Sequence, residues 1–505
     1  MAAFSHHRLV SAALPISAEL EQLLRAANPW WEGKPGRVLP ALKRWLFDEV
    51  VRGLERGLAP VIALRGPRQV GKTTLQEQVI AHLVSVGVNP RRIFRVQFDQ
   101  LLPLQRLELP VLTLARWFEQ NILGATLNES AHRGEPAYLF FDEVQNLRDW
   151  APQVKALVDH ASVRVMLTGS SALRIEQGRD SLAGRVTTLE MGTLLLREIA
   201  ALRGFGDLRP ALEKANGWGE LTRRDFWRNL RDLGLRQREV RDQAFAAFSE
   251  RGGYPFAHAN ADAPWEEIAS QLNETIVRRV IQHDLRLGER GRKRDKHLLE
   301  ALFRLSARYA GQAPESAVFI NELRTVLQAN VGWQRVLAYL RFLNDTLLIR
   351  LVPPLELRLK RRKGAPKICL SDHSLRASWL QEVVPLAPDA LKRLSHLSDL
   401  AEHLAESVAG HFLGTLPNLN LAWFPKRALE PEVDFVISVG EYCIPLEVKY
   451  RQRVDGYHDT IGLRAFLEKT AYNAPFGLLV TLDDAVQIDD QRIVALPLSS
   501  LLLLR

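Results

Sequence analysis

Two groups of residues in this chain have the types and spacing to do chemistry. The first is Gly66-Pro67-Arg68-Gln69-Val70-Gly71-Lys72-Thr73-Thr74, which follows the apolar run Val61-Ile62-Ala63-Leu64. Glycines at Gly66 and Gly71 let successive backbone N–H groups turn inward around an anion, where a side chain would fill the space. Lys72 then reaches the β- and γ-phosphates of a nucleoside triphosphate, and the Thr73 hydroxyl is placed for Mg²⁺. A helix opening at Thr74 directs the positive end of its dipole at the same phosphates. A second apolar run, Tyr138 to Phe141, ends in Asp142 and Glu143, as a buried strand does when its C-terminal end opens on a ligand. Asp142 is suited to hold Mg²⁺ through water, and Glu143 to orient and deprotonate an attacking water. A third run, Val163 to Leu167, ends in Thr168-Gly169-Ser170-Ser171. Thr168 or Ser170 is positioned there either to sense a γ-phosphate or to form a plain hydroxyl-rich turn. ATP and Mg²⁺ are the cofactors this group implies, and ATP hydrolysis is the reaction.

The second group lies near the C-terminus, in Glu432 to Ile437 and Ile444 to Lys449. Side chains alternate along a strand, so Glu447 and Lys449 share one face. If Gly440-Glu441 is a two-residue turn, the register sets Asp434 opposite Glu447 and Pro445 opposite Val436. Two carboxylates on one face make a site for a hard cation, Mg²⁺ or Mn²⁺, and Lys449 can orient the water that attacks a phosphodiester. A helix over Leu400 to Leu413 supplies a further carboxylate, with Glu402 and Glu406 one turn apart on the same face. The alternative is a charged hairpin that binds without cutting.

The elements that must position these groups follow from punctuation and period. Residues 1–58 form an N-terminal arm with Asn28-Pro29-Trp30-Trp31, then an amphipathic helix through Trp45, Phe47 and Val50-Val51. Residues 59–200 alternate strand and helix and predict a mostly parallel sheet. Residues 201–296 read as a helical lid, broken at Gly252-Gly253-Tyr254-Pro255 and closing on a basic connector with Arg290, Arg292, Lys293 and Arg294. Residues 297–380 predict helices at His297 to Tyr309, Asn321 to Leu327 and Trp333 to Leu343. Strands then carry Arg358, Lys360, Arg361, Arg362 and Lys363 around a turn at Gly364. That basic cluster pairs with nucleic-acid phosphates on one reading and is a solvated or protein-docking surface on the other. Residues 381–505 hold the second chemical group.

At 505 residues the chain exceeds what a single core organises. Its net charge of +9 favours a polyanionic partner, nucleic acid or acidic lipid. The only cysteines, Cys369 and Cys443, lack metal-ligand spacing and argue against a disulfide framework. No secretion-type N-terminal pattern appears, and no apolar run approaches the ~20 residues that span a bilayer, so a cytoplasmic protein with no membrane association is expected.

The order of Gly66 to Thr74, Asp142-Glu143-Val144-Gln145, Thr168 to Ser171, Leu182-Ala183-Gly184-Arg185 and Gly252 to Pro255 resembles a large group of bacterial and archaeal AAA-like ATPases. The resemblance runs from about Asn28 onward. It implies an α/β fold in which a P-loop ATPase with a helical lid is followed by a winged helix and a PD-(D/E)xK nuclease-like domain. One departure is Met191-Gly192-Thr193-Leu194-Leu195, where the group usually has a Pro-Leu-Ser-Phe run. The resemblance further implies a homo-oligomer, a hexameric ring among the options, in which an arginine completes a neighbour's site. Arg185 is the candidate and Arg174 the alternative. It favours Glu406 over Glu402, because Ala405-Glu406-Ser407-Val408 matches the group's Phe-Glu-Asn-x-Val stretch. The function implied is a DNA-dependent ATPase coupled to a metal-dependent nuclease-like domain acting on branched or unwound DNA. The alternative is an ATP-driven regulatory switch whose C-terminal part binds a protein and does not cut.

Overall fold

The computed structural model describes residues 16–99, 104, 107–147, 149–169, 182–212, 218–282, 295–357, 360–361, 364–416, 419–426 and 430–505. The chain divides into two compact units. One comprises Met1–Arg65 and Lys72–Leu189, the other Gly66–Gly71 and Glu190–Arg505.

The first unit is a five-stranded sheet covered by helices. In chain order it holds α1 (Ala18–Ala27), α2 (Phe47–Arg56), β1 (Val61–Arg65), α3 (Lys72–Ser85), β2 (Ile93–Gln97), α4 (Pro110–Phe118), α5 (Leu127–His132), β3 (Ala137–Asp142), α6 (Trp150–His160), β4 (Val163–Gly169) and β5 (Val186–Glu190). The strand order is β2-β3-β4-β1-β5, and the pairs β2–β3, β3–β4 and β4–β1 are parallel. Every residue of β3 is buried, which is why the sequence there is a continuous apolar run instead of an alternation. Phe47, Val50, Val51 and Leu54 of α2 recur at helical spacing and are buried together, as the amphipathic pattern predicts.

The arm preceding α2 serves the sheet's open edge. The Asn28 side chain donates to the Arg95 carbonyl at 2.9 Å and accepts from the Arg95 N–H at 2.7 Å. It thereby pairs β2 as a further strand would. The Trp30 and Trp31 indoles both donate to the Ile93 carbonyl, at 3.1 and 2.7 Å. An unpaired edge invites association with another chain, and these three side chains cover it.

In the second unit the described residues from Leu196–Arg203 to Trp333–Asp345 hold helices and no strand, ahead of the remaining strands. These are β6 (Ile349–Val352), β7 (Glu356–Leu357), β8 (Lys360–Arg361), β9 (Lys367–Leu370), β10 (Asn420–Phe424), β11 (Val433–Val439), β12 (Tyr442–Lys449), β13 (Gly477–Thr481) and β14 (Ile493–Pro497). The last five form a mixed sheet in sequence order, with β10–β11 and β11–β12 antiparallel and β12–β13 and β13–β14 parallel. Gly440, at φ 59°, lets the chain reverse over Gly440-Glu441, and the register runs from Val439 opposite Tyr442 to Phe435 opposite Leu446. Pro445 stands opposite Val436 as expected, and the paired stretch ends at Phe435 and Leu446, one position short of Asp434 and Glu447. β7 pairs with β8, Glu356 opposite Arg361 and Leu357 opposite Lys360. A Cβ on Gly364 would meet Trp423, Pro425 and Pro354. The segments expected at 201–296, 297–380 and 381–505 all fall in this one unit.

Candidate functional site

β1 leads into Gly66–Gly71, and α3 opens at Lys72. Within the loop Gln69 and Gly71 both have positive φ, 64° and 96°. Consecutive N–H groups of such a turn form an anion-binding concavity. Val70 is fully buried, and a Cβ built on Gly66 would lie 2.3 Å from the Met191 carbonyl oxygen. That position admits only glycine. Nothing stands within 4 Å of a Cβ on Gly71, so there the glycine is required by conformation alone.

In the first unit, the end of β3 and the first turn of α3 converge. Thr73 Oγ1 donates to Asp142 Oδ2 at 2.9 Å, while Thr168 Oγ1 and the Glu143 N–H (3.1 Å) donate to Asp142 Oδ1. Asp142 is fully buried and Lys72 is 5% exposed. Arg95 stands behind the carboxylate, its Nη2 3.4 Å from Asp142 Oδ2, and it also bonds Gln76 and Gln97. Such compensation is needed because a buried ion without a partner costs several kcal/mol. Glu143 follows in the left-handed region at φ 51°, and its carboxylate accepts from Gln145 Nε2. Strain of this kind at the end of a strand is characteristic of working sites. Thr74 Oγ1 accepts from Arg37 Nη2 at 3.3 Å, and Arg37 also pairs with Glu77. The hydroxyl of Thr73 and the carboxylate of Asp142 are the hard oxygen donors that Mg²⁺ takes, and they fit it.

The C-terminal carboxylates also converge, but on a different partner from the one expected. Lys367, which opens β9, places its Nζ 2.8 Å from Glu406 Oε2 and 2.8 Å from Asp434 Oδ1. Glu432 lies 3.9 Å away and the Phe435 ring centroid 4.9 Å away. Only 1% of the Lys367 side chain is exposed. Burial alone would lower its pKa, yet Asp434 and Glu406 outweigh burial and hold it above the ordinary lysine value. Burial would likewise raise Asp434, but Lys367 and Lys449 together bring it below the usual carboxylate range. Glu447 goes the other way. Burial and the neighbouring charge of Asp434 push it up to about 8, although Lys449 Nζ lies 2.8 Å from its Oε1. Its buried Oε2 has no hydrogen-bond partner. Glu402 is 3.9 Å from Lys449.

The expectation of a divalent cation held by Glu406, Asp434 and Glu447 finds no support in this arrangement. The Lys367 ammonium bonds two of the three, and among the described residues no three histidine, cysteine or carboxylate side chains are disposed to hold a metal ion. Mg²⁺ or Mn²⁺ does not fit these residues as they stand. Sequence reading missed Lys367 because a lysine beginning an apolar strand, Lys367-Ile368-Cys369-Leu370, carries no local signal of its distant partners. It missed Arg95 too, although a charged residue inside the apolar run Ile93 to Val96 was a visible clue.

Arg185 pairs with Asp159 of the same unit and donates to the Ala183 carbonyl at 3.2 Å. Ser170, Ser171, Arg174, Arg358, Arg362, Lys363 and the connector arginines and lysine at 290–294 lie outside the described residues. Of Lys360 and Arg361 the backbone is described, as β8. No described helix is long and apolar enough to cross a membrane.

Residues 59–200 match the family model described as an AAA domain, and residues 242–383 match a domain of unknown function, DUF8612. The chain thus carries an AAA+-like P-loop ATPase domain. Among curated proteins it is similar to the uncharacterized protein MJ1637 of Methanocaldococcus jannaschii, 29% identical over 27% of this chain and 26% of that protein. It is also similar to the uncharacterized protein Rv2008c of Mycobacterium tuberculosis, 29% identical over 37% of this chain and 39% of that protein. The chain matches about a quarter to two fifths of the length of these curated relatives. Among solved structures, the Walker-type ATPase paby2304 of Pyrococcus abyssi aligns with a TM-score of 0.37 at 15% identity, over 68% of this chain and 99% of that one. PCH-2 of C. elegans aligns with a TM-score of 0.22 at 14% identity, over 31% and 43%. Likeness at that level fixes neither substrate nor partner.

Proposed function

We propose that the chain is an ATP-driven regulatory switch whose C-terminal unit docks a protein partner and does not cut nucleic acid. The observation that carries this reading is Lys367, whose buried ammonium already neutralises the two carboxylates a nuclease would need for its metal. In the ATPase domain Lys72 would meet the β- and γ-phosphates of bound ATP, and Thr73 would hold Mg²⁺ directly and Asp142 through water. Bound there, Mg²⁺ supplies charge neutralisation at the phosphoryl oxygens. Arg95 keeps the Asp142 carboxylate aimed at that place. Glu143, steadied by Gln145, orients a water towards the γ-phosphorus and takes its proton as the bond to the departing ADP oxygen breaks. In a homo-oligomer, Arg185 is the residue to exchange its Asp159 partner for a neighbour's nucleotide.

A second reading is supported by one specific observation. Lys367 pairs with both Glu406 and Asp434, and Lys449 pairs with Glu447, whose carboxyl the charge of Asp434 helps to raise. On that reading the unit is a winged helix joined to a PD-(D/E)xK nuclease-like domain, Lys360 to Lys363 meet DNA phosphates, and Mg²⁺ or Mn²⁺ displaces Lys367. ATP turnover measured with and without duplex, branched and single-stranded DNA separates the two. The switch predicts turnover that DNA leaves unchanged and no cleavage in Mg²⁺ or Mn²⁺. Several-fold stimulation by DNA, with Mn²⁺-dependent cleavage abolished in Glu447→Gln, would overturn it.

A further inference from the structure

The Gly252-Gly253-Tyr254-Pro255 break has no role in the chemistry described so far, yet it is among the most constrained places in the second unit. Gly252 has φ 71°, and a Cβ there would lie 2.1 Å from Asp372 Oδ1. The Gly253 N–H donates to Asp372 Oδ2 at 2.7 Å, and the Gly253 carbonyl accepts from the Leu194 N–H, also at 2.7 Å. A Cβ on Gly253 would meet Thr193 Oγ1 at 2.9 Å. His258 Nε2 bonds the Gly252 carbonyl at 2.7 Å, and burial lowers the histidine's pKa, so the ring is a neutral donor. On the far side, Asp372 Oδ1 accepts from the Ser374 N–H (2.9 Å) and hydroxyl (2.6 Å), capping the helix His373–Leu380. Asp372 is 4% exposed, so all of its hydrogen bonding is within the protein.

The segment that this clasp holds is the one that braces the phosphate loop. Three residues before Leu194, the Met191 carbonyl lies against Gly66, so closely that a Cβ has no room, and Met191 is fully buried. From Asp372 to Gly66 the route is continuous: Asp372 to the Gly253 N–H, the Gly253 carbonyl to the Leu194 N–H, and the Met191 to Leu195 run to Gly66. Every residue on it belongs to the second unit, which also contains Gly66–Gly71. We propose that Asp372 is a positioning residue for the nucleotide site, acting through the Gly253 turn and the Met191–Leu195 run to fix the phosphate loop. It lies in the C-terminal unit, so anything that moves the helix His373–Leu380 changes ATP affinity, and by linkage ATP binding tightens the clasp. This deepens the switch and rests on the ATP-binding reading.

The test uses the full chain with a non-hydrolysable ATP analogue and Mg²⁺. Asp372→Asn removes the charge that strengthens the Gly253 bond and is expected to weaken analogue binding roughly tenfold. Ser378→Ala removes hydrogen bonds from the same helix to Asn273 and to the Leu375 carbonyl, touches nothing in the clasp, and is expected to bind as the parent does. In the parent, the analogue is expected to slow hydrogen exchange of the Gly253 amide. That measurement decides the matter if Asp372→Asn does not fold. Parent affinity in a folded Asp372→Asn protein, or Gly253 exchange indifferent to the analogue in a parent that binds it, would overturn the positioning role alone. A parent that binds no analogue would overturn the ATP reading, and the inference with it.

Discussion

Replacing Lys367 by methionine tests the C-terminal reading most sharply, because it removes one charge and little volume. Lys367 is 1% exposed and each of its two close carboxylates, Glu406 and Asp434, is 10% exposed. Taking one partner out of a buried ion pair costs about 3–5 kcal/mol, since the remaining charge stays buried without compensation. Asp434 keeps the Val448 N–H at 2.9 Å and the field of Lys449. The low end, about 3 kcal/mol, is therefore the better figure. At about 1.4 kcal/mol per decade, that is roughly a hundredfold faster hydrogen exchange for the amides of Val433 to Lys449. The pH dependence has a definite sign. In the parent the Asp434 pKa is depressed, so its contribution is present above the unfolded value near ~3.9 and fades as pH falls through the folded value. In Lys367→Met the charge that lowers Asp434 most is gone, and the folded value is expected to rise. The loss relative to the parent then grows as pH climbs past the parent's folded value and vanishes below it. The gap between variant and parent is accordingly widest at neutral pH and closes below about pH 4. Millimolar Mn²⁺ is expected to protect the variant and leave the parent unchanged. A variant as protected as the parent at pH 7, a gap that ignores pH, or equal protection of both by Mn²⁺ would refute the claim that the lysine replaces a metal.

Lys72→Ala is expected to lose ATP affinity, measured by direct nucleotide binding, whereas Glu143→Gln keeps binding and loses about 10²–10⁴-fold in turnover. Comparable turnover in Glu143→Gln and the parent would remove Glu143 from the reaction. Arg95→Met leaves Asp142 with hydroxyl and amide partners alone, so kcat is expected to fall at least tenfold and more Mg²⁺ to be needed for half-maximal rate. An unchanged Mg²⁺ requirement would reduce Arg95 to packing. Glu447, pushed up to about 8 from an unfolded value near ~4.3, makes the fold progressively less stable as pH rises between those two values. Glu447→Gln is expected to gain over the parent across that window, read as urea midpoints at pH 5 and pH 8.5. A difference that is flat with pH would contradict the raised value.

How much of this was legible depended on whether the deciding interaction was local. Gly66 to Thr74 and the apolar run ending in Asp142 are local patterns, and strand, turn and helix follow in the order read, the helix opening at Lys72, two residues before the expected Thr74. The hairpin register was also local, because a two-residue turn at Gly440-Glu441 fixes every pair back to Phe435. What the sequence withheld was always a long-range partner. Asn28 reaches across 67 positions to Arg95, and Lys367 across 67 positions to Asp434. Neither residue has a neighbour that announces its contact.

The same distinction applies to the carboxylates. Glu447 and Lys449 share a face through strand geometry alone, which gives a cation site an acid but not its cation. Like charges across a strand pair are unfavourable, so the fold must supply a positive charge from somewhere. Two solutions satisfy that demand, a metal from solution or an ammonium from the chain, and the local sequence is identical for both. β9, a strand opening with Lys367, delivers an ammonium to Glu406 and Asp434. A chain-borne cation is present at fixed stoichiometry in every folded copy. A metal must therefore compete against a partner whose effective concentration is set by the fold, and the Lys367→Met variant is the one in which that competitor is gone.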